Sequence, residues 1–158
     1  MAEVHELSRA TYERLRAELE ELTGAGRIDI AHKIEAARAL GDLSENGDYH
    51  AAKEQQGKME ARIRQIAGLL EDAVVVDTEA TDTSRVGVGT VVTLRFEGDD
   101  GTERFLVGSI EERHDEAEVL SPGSPLGRAV LGATAGDHRT YEVNGNQLGI
   151  HIVGIEAG

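Results

Sequence analysis

An α+β protein, with its helices and its strands in separate blocks, is the architecture this chain predicts, because its hydrophobic period changes once and does not change back. Up to about residue 76, apolar residues recur every three or four positions; beyond about residue 85 they alternate, with turn residues between the runs. The stretch between them, Asp77-Thr78-Glu79-Ala80-Thr81-Asp82-Thr83-Ser84, is polar and aperiodic. It reads as a linker and places the boundaries at 1–76, 77–84 and 85–158.

The helical block is expected to be an antiparallel hairpin. Its first arm starts near Ser8, an N-cap residue type, and carries Tyr12, Leu15, Leu19 and Leu22 on one stripe. Gly24-Ala25-Gly26 interrupts that stripe, which resumes in a shifted register as Ile30, Ile34 and Ala37. Each interior glycine costs about 1 kcal/mol relative to alanine, so a bend or short break is expected there. The second arm is regular: Tyr49, Ala52, Gln56, Met59, Ile63, Ile66, Leu70 and Ala73 hold an unbroken 3-4 spacing, a coiled-coil seam. A short turn between two such helices forces them antiparallel, and about 26 residues at 1.5 Å rise give an arm of roughly 40 Å. The stripe alone fits equally a two-helix core packed on a sheet. Near the turn, however, the seam thins to Ala37, Ala52 and Gln56 among Glu35, Arg38, Lys53, Glu54, Lys58 and Glu60, which favours a projecting end.

The second block predicts a small, mostly antiparallel β-domain. Val86 to Phe96 reads as a strand, Gly98-Asp99-Asp100-Gly101 as a turn and Glu103 to Val107 as the return. Val119-Leu120 is a short strand, and Ser124 with Pro125 opens a short helix to Leu131. Arg139 to Val143, the turn Asn144-Gly145 and Gln147 to Ile155 make a second hairpin.

Charge and composition narrow the function. The net charge of −14 divides into −5 over residues 1–76 and −9 over 77–158, which opposes wrapping a phosphate backbone. Cysteine is absent, removing disulfides, thiol nucleophiles and thiolate metal sites. The longest apolar runs are too short to span a bilayer and the N-terminus has no signal-peptide pattern, so a soluble cytoplasmic protein is expected. Neither a phosphate loop nor a Gly-x-Ser-x-Gly element is present, and the six histidines show no paired metal spacing.

The chemistry concentrates in the turn, where Asp42, Glu45 and Asp48 put three carboxylates within seven residues. Gly41 and Gly47 give it backbone freedom, and Ser44, Asn46 and Asp48 are turn or cap residue types. Carboxylates select hard cations, and one or two of them completed by water and substrate oxygens is the usual way Mg²⁺ is held. A loop so poor in ligands cannot hold Mg²⁺ alone, but it can complete a site whose other ligands belong to a partner. The competing reading makes these acids a dipole-favoured start of the second helix, a role worth some 0.3–1 kcal/mol each. Asp48 fits that role best and Asp42 least.

The run from Ala36 through Gly41-Asp42-Leu43-Ser44-Glu45-Asn46-Gly47-Asp48-Tyr49 to Gly57 closely resembles the signature of the bacterial Gre family of transcription elongation factors. A second segment, Ser121-Pro122-Gly123-Ser124-Pro125-Leu126-Gly127-Arg128-Ala129-Val130-Leu131-Gly132 with Gly136-Asp137, resembles that family's C-terminal domain, and the likeness runs over about residues 7 to 155. It implies a coiled-coil hairpin that enters the secondary channel of RNA polymerase and an FKBP-like domain that docks on the channel rim. It also implies that Asp42 and Glu45 are the two acids that help place the second catalytic Mg²⁺ and a water, so that backtracked polymerase cleaves its own transcript. The protein would then be a monomer and no enzyme by itself, with magnesium shared rather than bound alone. Ser124 and Pro125 match positions used against the polymerase rim, and Arg38 and Lys53 flank the tip where the RNA 3′ end would lie. The alternatives are a non-catalytic channel regulator that inhibits polymerase, and a coiled-coil scaffold unrelated to it.

The chain departs from the family pattern in three places. Gly47 and Asp48 replace a common Ala-Glu, Gly24-Ala25-Gly26-Arg27-Ile28 replaces a common Arg-Pro step, and Gly123 replaces a frequent Asp or Asn. Phe96, Phe105 and Tyr141 are too few aromatics to line a prolyl-isomerase pocket.

Overall fold

The computed structural model describes residues 5–42, 45–77 and 81–158, and it has the α+β architecture that the periodicity predicts. The chain divides into two compact units, a helical one containing Tyr12–Ala73 and a β-rich one formed by residues 5–11 with Val74–Gly158.

In the helical unit, α1 (Arg9–Glu21) runs through a π-helical turn (Leu22–Gly26) into α2 (Arg27–Arg38), and α3 (Gly47–Glu71) returns. At 25 residues, α3 is roughly 37 Å long. At Gly24-Ala25-Gly26, where a bend or short break is expected, the π turn interrupts the α-helix, while Glu21, Gly26 and Arg27 keep right-handed helical dihedrals and the chain stays helical. The seam explains why. From Leu15 it runs through Leu19, Leu22, Gly26, Ile30, Ile34 and Ala37, one residue longer than a strict 3-4 alternation. A π turn, closing i→i+5 bonds, absorbs one residue, so the stripe stays on one face and the glycines sit in a wide turn rather than ending the helix.

The seam is inside on both arms. Leu15, Ile30, Ala37, Ala52, Ile63 and Ile66 are buried, and Tyr12, Leu19, Leu22, Ile34, Tyr49, Gln56, Met59 and Leu70 are half-buried. Burying a Leu or Ile side chain contributes about 1.5–3 kcal/mol, so this stripe accounts for the pairing. Two bidentate ion pairs bracket the π turn: Arg62 donates to both carboxylate oxygens of Glu18 at 2.8 and 3.0 Å, and Arg27 to both of Glu60 at 2.9 and 3.0 Å.

The β-rich unit holds a five-stranded sheet of order β5-β4-β3-β7-β6, with β3 Thr90–Phe96, β4 Glu103–Val107, β5 Glu118–Leu120, β6 His138–Val143 and β7 Asn146–Ala157. All pairings are antiparallel except β4 with β5. The tight turn between β6 and β7 has φ of 52° at Asn144 and 82° at Gly145, the left-handed pair that a two-residue hairpin requires. Val92, Leu94, Phe105, Val107, Ile150 and Ile152 line the core face, closed by Val130 of the short helix α4 (Pro125–Val130). Val86 lies before the first long strand rather than in it: its N–H donates to Ala133 C=O and its C=O accepts from Gly132 N–H. Residues 78–80 of the expected linker fall outside the described residues, and its end is a local turn in which Ser84 N–H and Oγ–H donate to Asp82.

Two short strands were not foreseen. β1 (His5–Ser8) pairs with β2 (Ala73–Val76), so Ala73 leaves the helical seam for a strand, and residues 5–11 group with the β-rich unit. Beside them Glu112, buried, holds the first turn of α1. Its Oε2 accepts from Ser8 N–H at 3.0 Å, and its Oε1 accepts from Ser8 Oγ–H at 2.6 Å and from Thr11 Oγ1–H at 2.8 Å. Ser8 Oγ in turn accepts from Thr11 N–H, the N-cap bond.

Candidate functional site

The tip is built from two helix ends. At the close of α2, Ala39 N–H donates to Glu35 C=O at 3.2 Å and Leu40 N–H to Ala37 C=O at 3.1 Å. Gly41 then takes φ of 136°, which a side chain would strain, and the chain turns out of the helix. Across the turn, Asn46 caps α3: its Oδ1 accepts from Tyr49 N–H at 3.0 Å. Its Nδ2 also donates to Ala37 C=O, at the end of α2. Among the described residues of the loop, Glu45 N–H donates to Asp42 C=O over a long 3.4 Å.

Asp42 and Glu45 are both exposed, and they line one shallow concavity with Leu40, Asn46, Gly47 and Asp48. Three residues apart and on one rim, they offer hard oxygen donors toward the same space, as a cation of the Mg²⁺ type needs. Leu43 and Ser44 lie outside the described residues. Asp48 occupies the first turn of α3, the place where a carboxylate complements the helix dipole. Among the described residues no three His, Cys, Asp or Glu side chains group to hold a metal. A pair of carboxylates therefore suits a metal that takes its remaining ligands from elsewhere.

The two flanking bases are exposed. Arg38 ends α2, where a cation complements the C-terminal dipole, and Lys53 Nζ donates to Gln56 Oε1 at 2.9 Å. In the β-rich unit, Ser124 caps α4, its Oγ accepting from Gly127 N–H at 3.0 Å and donating to Ser121 C=O at 2.7 Å, with exposed Pro125 as the first helical residue. The structure thus keeps Asp42 with Glu45 in one unit and Ser124 with Pro125 in the other. The double role of Asn46 escaped the sequence reading, which gave a turn or cap residue but no hint that its amide reaches Ala37.

A helical hairpin with two acids on its tip, followed by a β-rich domain, is the class of molecule defined so far, and comparison with known proteins gives it a family. The N-terminal model for transcription elongation factors matches residues 5–75, and the GreA/GreB C-terminal model matches residues 80–157. The transcription elongation factor GreA of Streptomyces coelicolor is 49% identical over 152 residues, covering 95% of this chain and 92% of the relative. That of Roseiflexus is 42% identical over 151 residues, covering 95% and 96%. Thermus aquaticus Gfh1 matches over 99% of both chains at 25% identity with a TM-score of 0.44, too loose a superposition to argue from. The chain belongs to the GreA/GreB family of transcription elongation factors.

Proposed function

We propose that this elongation factor acts on RNA polymerase by inserting the α2–α3 tip into the secondary channel, where Asp42 and Glu45 complete the polymerase's own site and stimulate cleavage of the backtracked transcript. The observation that carries this is the pair of exposed carboxylates on one rim of the turn, too few to constitute an active site and well suited to finishing another. Magnesium, when held jointly by polymerase ligands and these oxygens, supplies charge neutralisation for in-line attack on a phosphodiester. Asp42 and Glu45 contribute carboxylate oxygens as ligands and as acceptors that orient water. Asp48 steadies the start of α3, Arg38 and Lys53 offer positive charge to the RNA 3′ end, and Ser124 with Pro125 meets the channel rim. The factor works as a monomer in the cytoplasm and has no catalysis of its own.

The test is transcript cleavage in stalled, backtracked elongation complexes supplied with Mg²⁺. The wild-type factor shortens the RNA, and Asp42→Ala or Glu45→Ala lowers the rate on the order of a hundredfold, the scale of losing one preorganised electrostatic group. Cleavage by either variant at the wild-type rate refutes the assignment.

A further inference from the structure

Asn46 does more than cap a helix. Ala37, whose carbonyl it reaches, is the last seam residue of α2, and Tyr49, whose N–H it accepts, is the first seam residue of α3. One half-buried amide therefore joins the two positions at which the coiled coil opens into the loop. At the α3 end it satisfies an N–H that a helix start leaves without an intrahelical partner, and at the α2 end it adds a second donor to the Ala37 carbonyl, which also accepts from Leu40 N–H. Glu45 is the neighbour of Asn46 in the chain, and Asp42 follows Ala37 by five residues, so the spacing this amide fixes is the spacing from which both acids start.

We propose that Asn46 is a positioning residue for Asp42 and Glu45, acting as a strut that fixes the gap between α2 and α3 and so the placement of the two carboxylates. The proposal rests on the reading of Asp42 and Glu45 as the acting pair. It separates from the capping role by reach: serine caps as well as asparagine, but its hydroxyl, one bond beyond Cβ, is too short to extend from the cap to Ala37. Asn46→Ser thus removes the strut and keeps the cap, while Asn46→Ala removes both.

The experiment uses the full-length factor on backtracked polymerase complexes, with cleavage followed across a Mg²⁺ titration. For Asn46→Ser the expected result is unchanged helical circular dichroism and unchanged competition for polymerase, a cleavage rate at saturating factor lower by roughly ten- to a hundredfold, and a severalfold higher Mg²⁺ concentration for half-maximal cleavage. Asn46→Ala should add lost helicity to the same defect. Wild-type rate and Mg²⁺ dependence in Asn46→Ser overturn the strut, as does a loss of cleavage that merely tracks lost helicity in both variants. Unimpaired cleavage by Asp42→Ala and Glu45→Ala is a separate result: it sinks the underlying reading whatever Asn46 does.

Discussion

Replacing Glu112 with glutamine tests how strongly a buried carboxylate holds the first turn of α1. The side chain is about 7% exposed and accepts three hydrogen bonds, from Ser8 N–H, Ser8 Oγ–H and Thr11 Oγ1–H. Glutamine has the same shape but offers one oxygen instead of two. If its amide nitrogen takes the Oε2 position it faces Ser8 N–H, donor against donor, and one part-buried N–H is orphaned. If it takes the Oε1 position, two hydroxyl protons lose their acceptor. Either way an unmet buried donor costs about 1–3 kcal/mol, and the surviving bonds lose the extra strength of an ionised acceptor, about 1 kcal/mol more. The expected destabilisation is about 3 kcal/mol. Native-state hydrogen exchange at the β3 and β7 amides measures it, since those strands open with the β-rich unit. A double-mutant cycle with Thr11→Val should return a coupling of at least about 0.5 kcal/mol. Exchange free energies for Glu112→Gln within about 0.5 kcal/mol of wild type would refute the reasoning.

Other consequences can be checked in the same variants-and-measurement manner. Ile66→Ala, at a fully buried seam position, should cost about 2–5 kcal/mol in a denaturant melt followed at 222 nm, while Ile28→Ala, exposed and off the seam, should stay within about 0.5 kcal/mol. In Gly127→Ala the new Cβ would sit 2.0 Å from Ser121 C=O, backbone that cannot swing aside, so α4 should shift at a cost of at least about 2 kcal/mol, seen as lost thermal stability and moved amide resonances over residues 121–127. The Asp137 carboxyl is held below the usual aspartate range, chiefly by Thr134 N–H at 2.9 Å and then by Arg139, and Asp82 is lowered chiefly by the Ser84 hydroxyl. Folded values below unfolded ones mean that both contributions are complete above the unfolded pKa of about 4 and vanish as pH falls through the folded values. Carboxyl-carbon titration by NMR should place both below an unperturbed aspartate, and a midpoint at or above it would contradict the bonding.

The elements most legible in the sequence were those specified by their own residues. The α3 seam, the Asn144-Gly145 turn and the Ser124-Pro125 helix start each rest on local chemistry, and each is where it was expected. What the sequence concealed depends on distant partners. β1 and β2 are four residues each, too short for a periodic signal, and β1 finds its partner more than 60 positions away. Glu112 reads as one more surface acid until Ser8 and Thr11, 104 and 101 residues distant, bring their donors to it. At the tip, Asp42 and Glu45 were nameable from spacing and resemblance, whereas the Asn46 bond to Ala37 follows only from how closely the two helices end together. The glycines at 24 and 26 signalled an interruption of the α-helix, and its form, a π turn, follows from the extra seam residue beside them.

That extra residue has a consequence for aim. On a helix, length sets depth and residue count sets azimuth, at 1.5 Å and about 100° per residue. Held in an unbroken α-helix instead of a π turn, the extra residue would lengthen the first arm by only about 1.5 Å, yet it would swing α2 by about 100° about its axis as measured from α1. The seam would either tear from α3 or carry the acids to a different bearing. Adding or removing seven residues, by contrast, nearly preserves the bearing while changing the depth by about 10 Å. The π turn therefore acts as a phase correction, written some 16 residues before Asp42, that decides which way the tip faces.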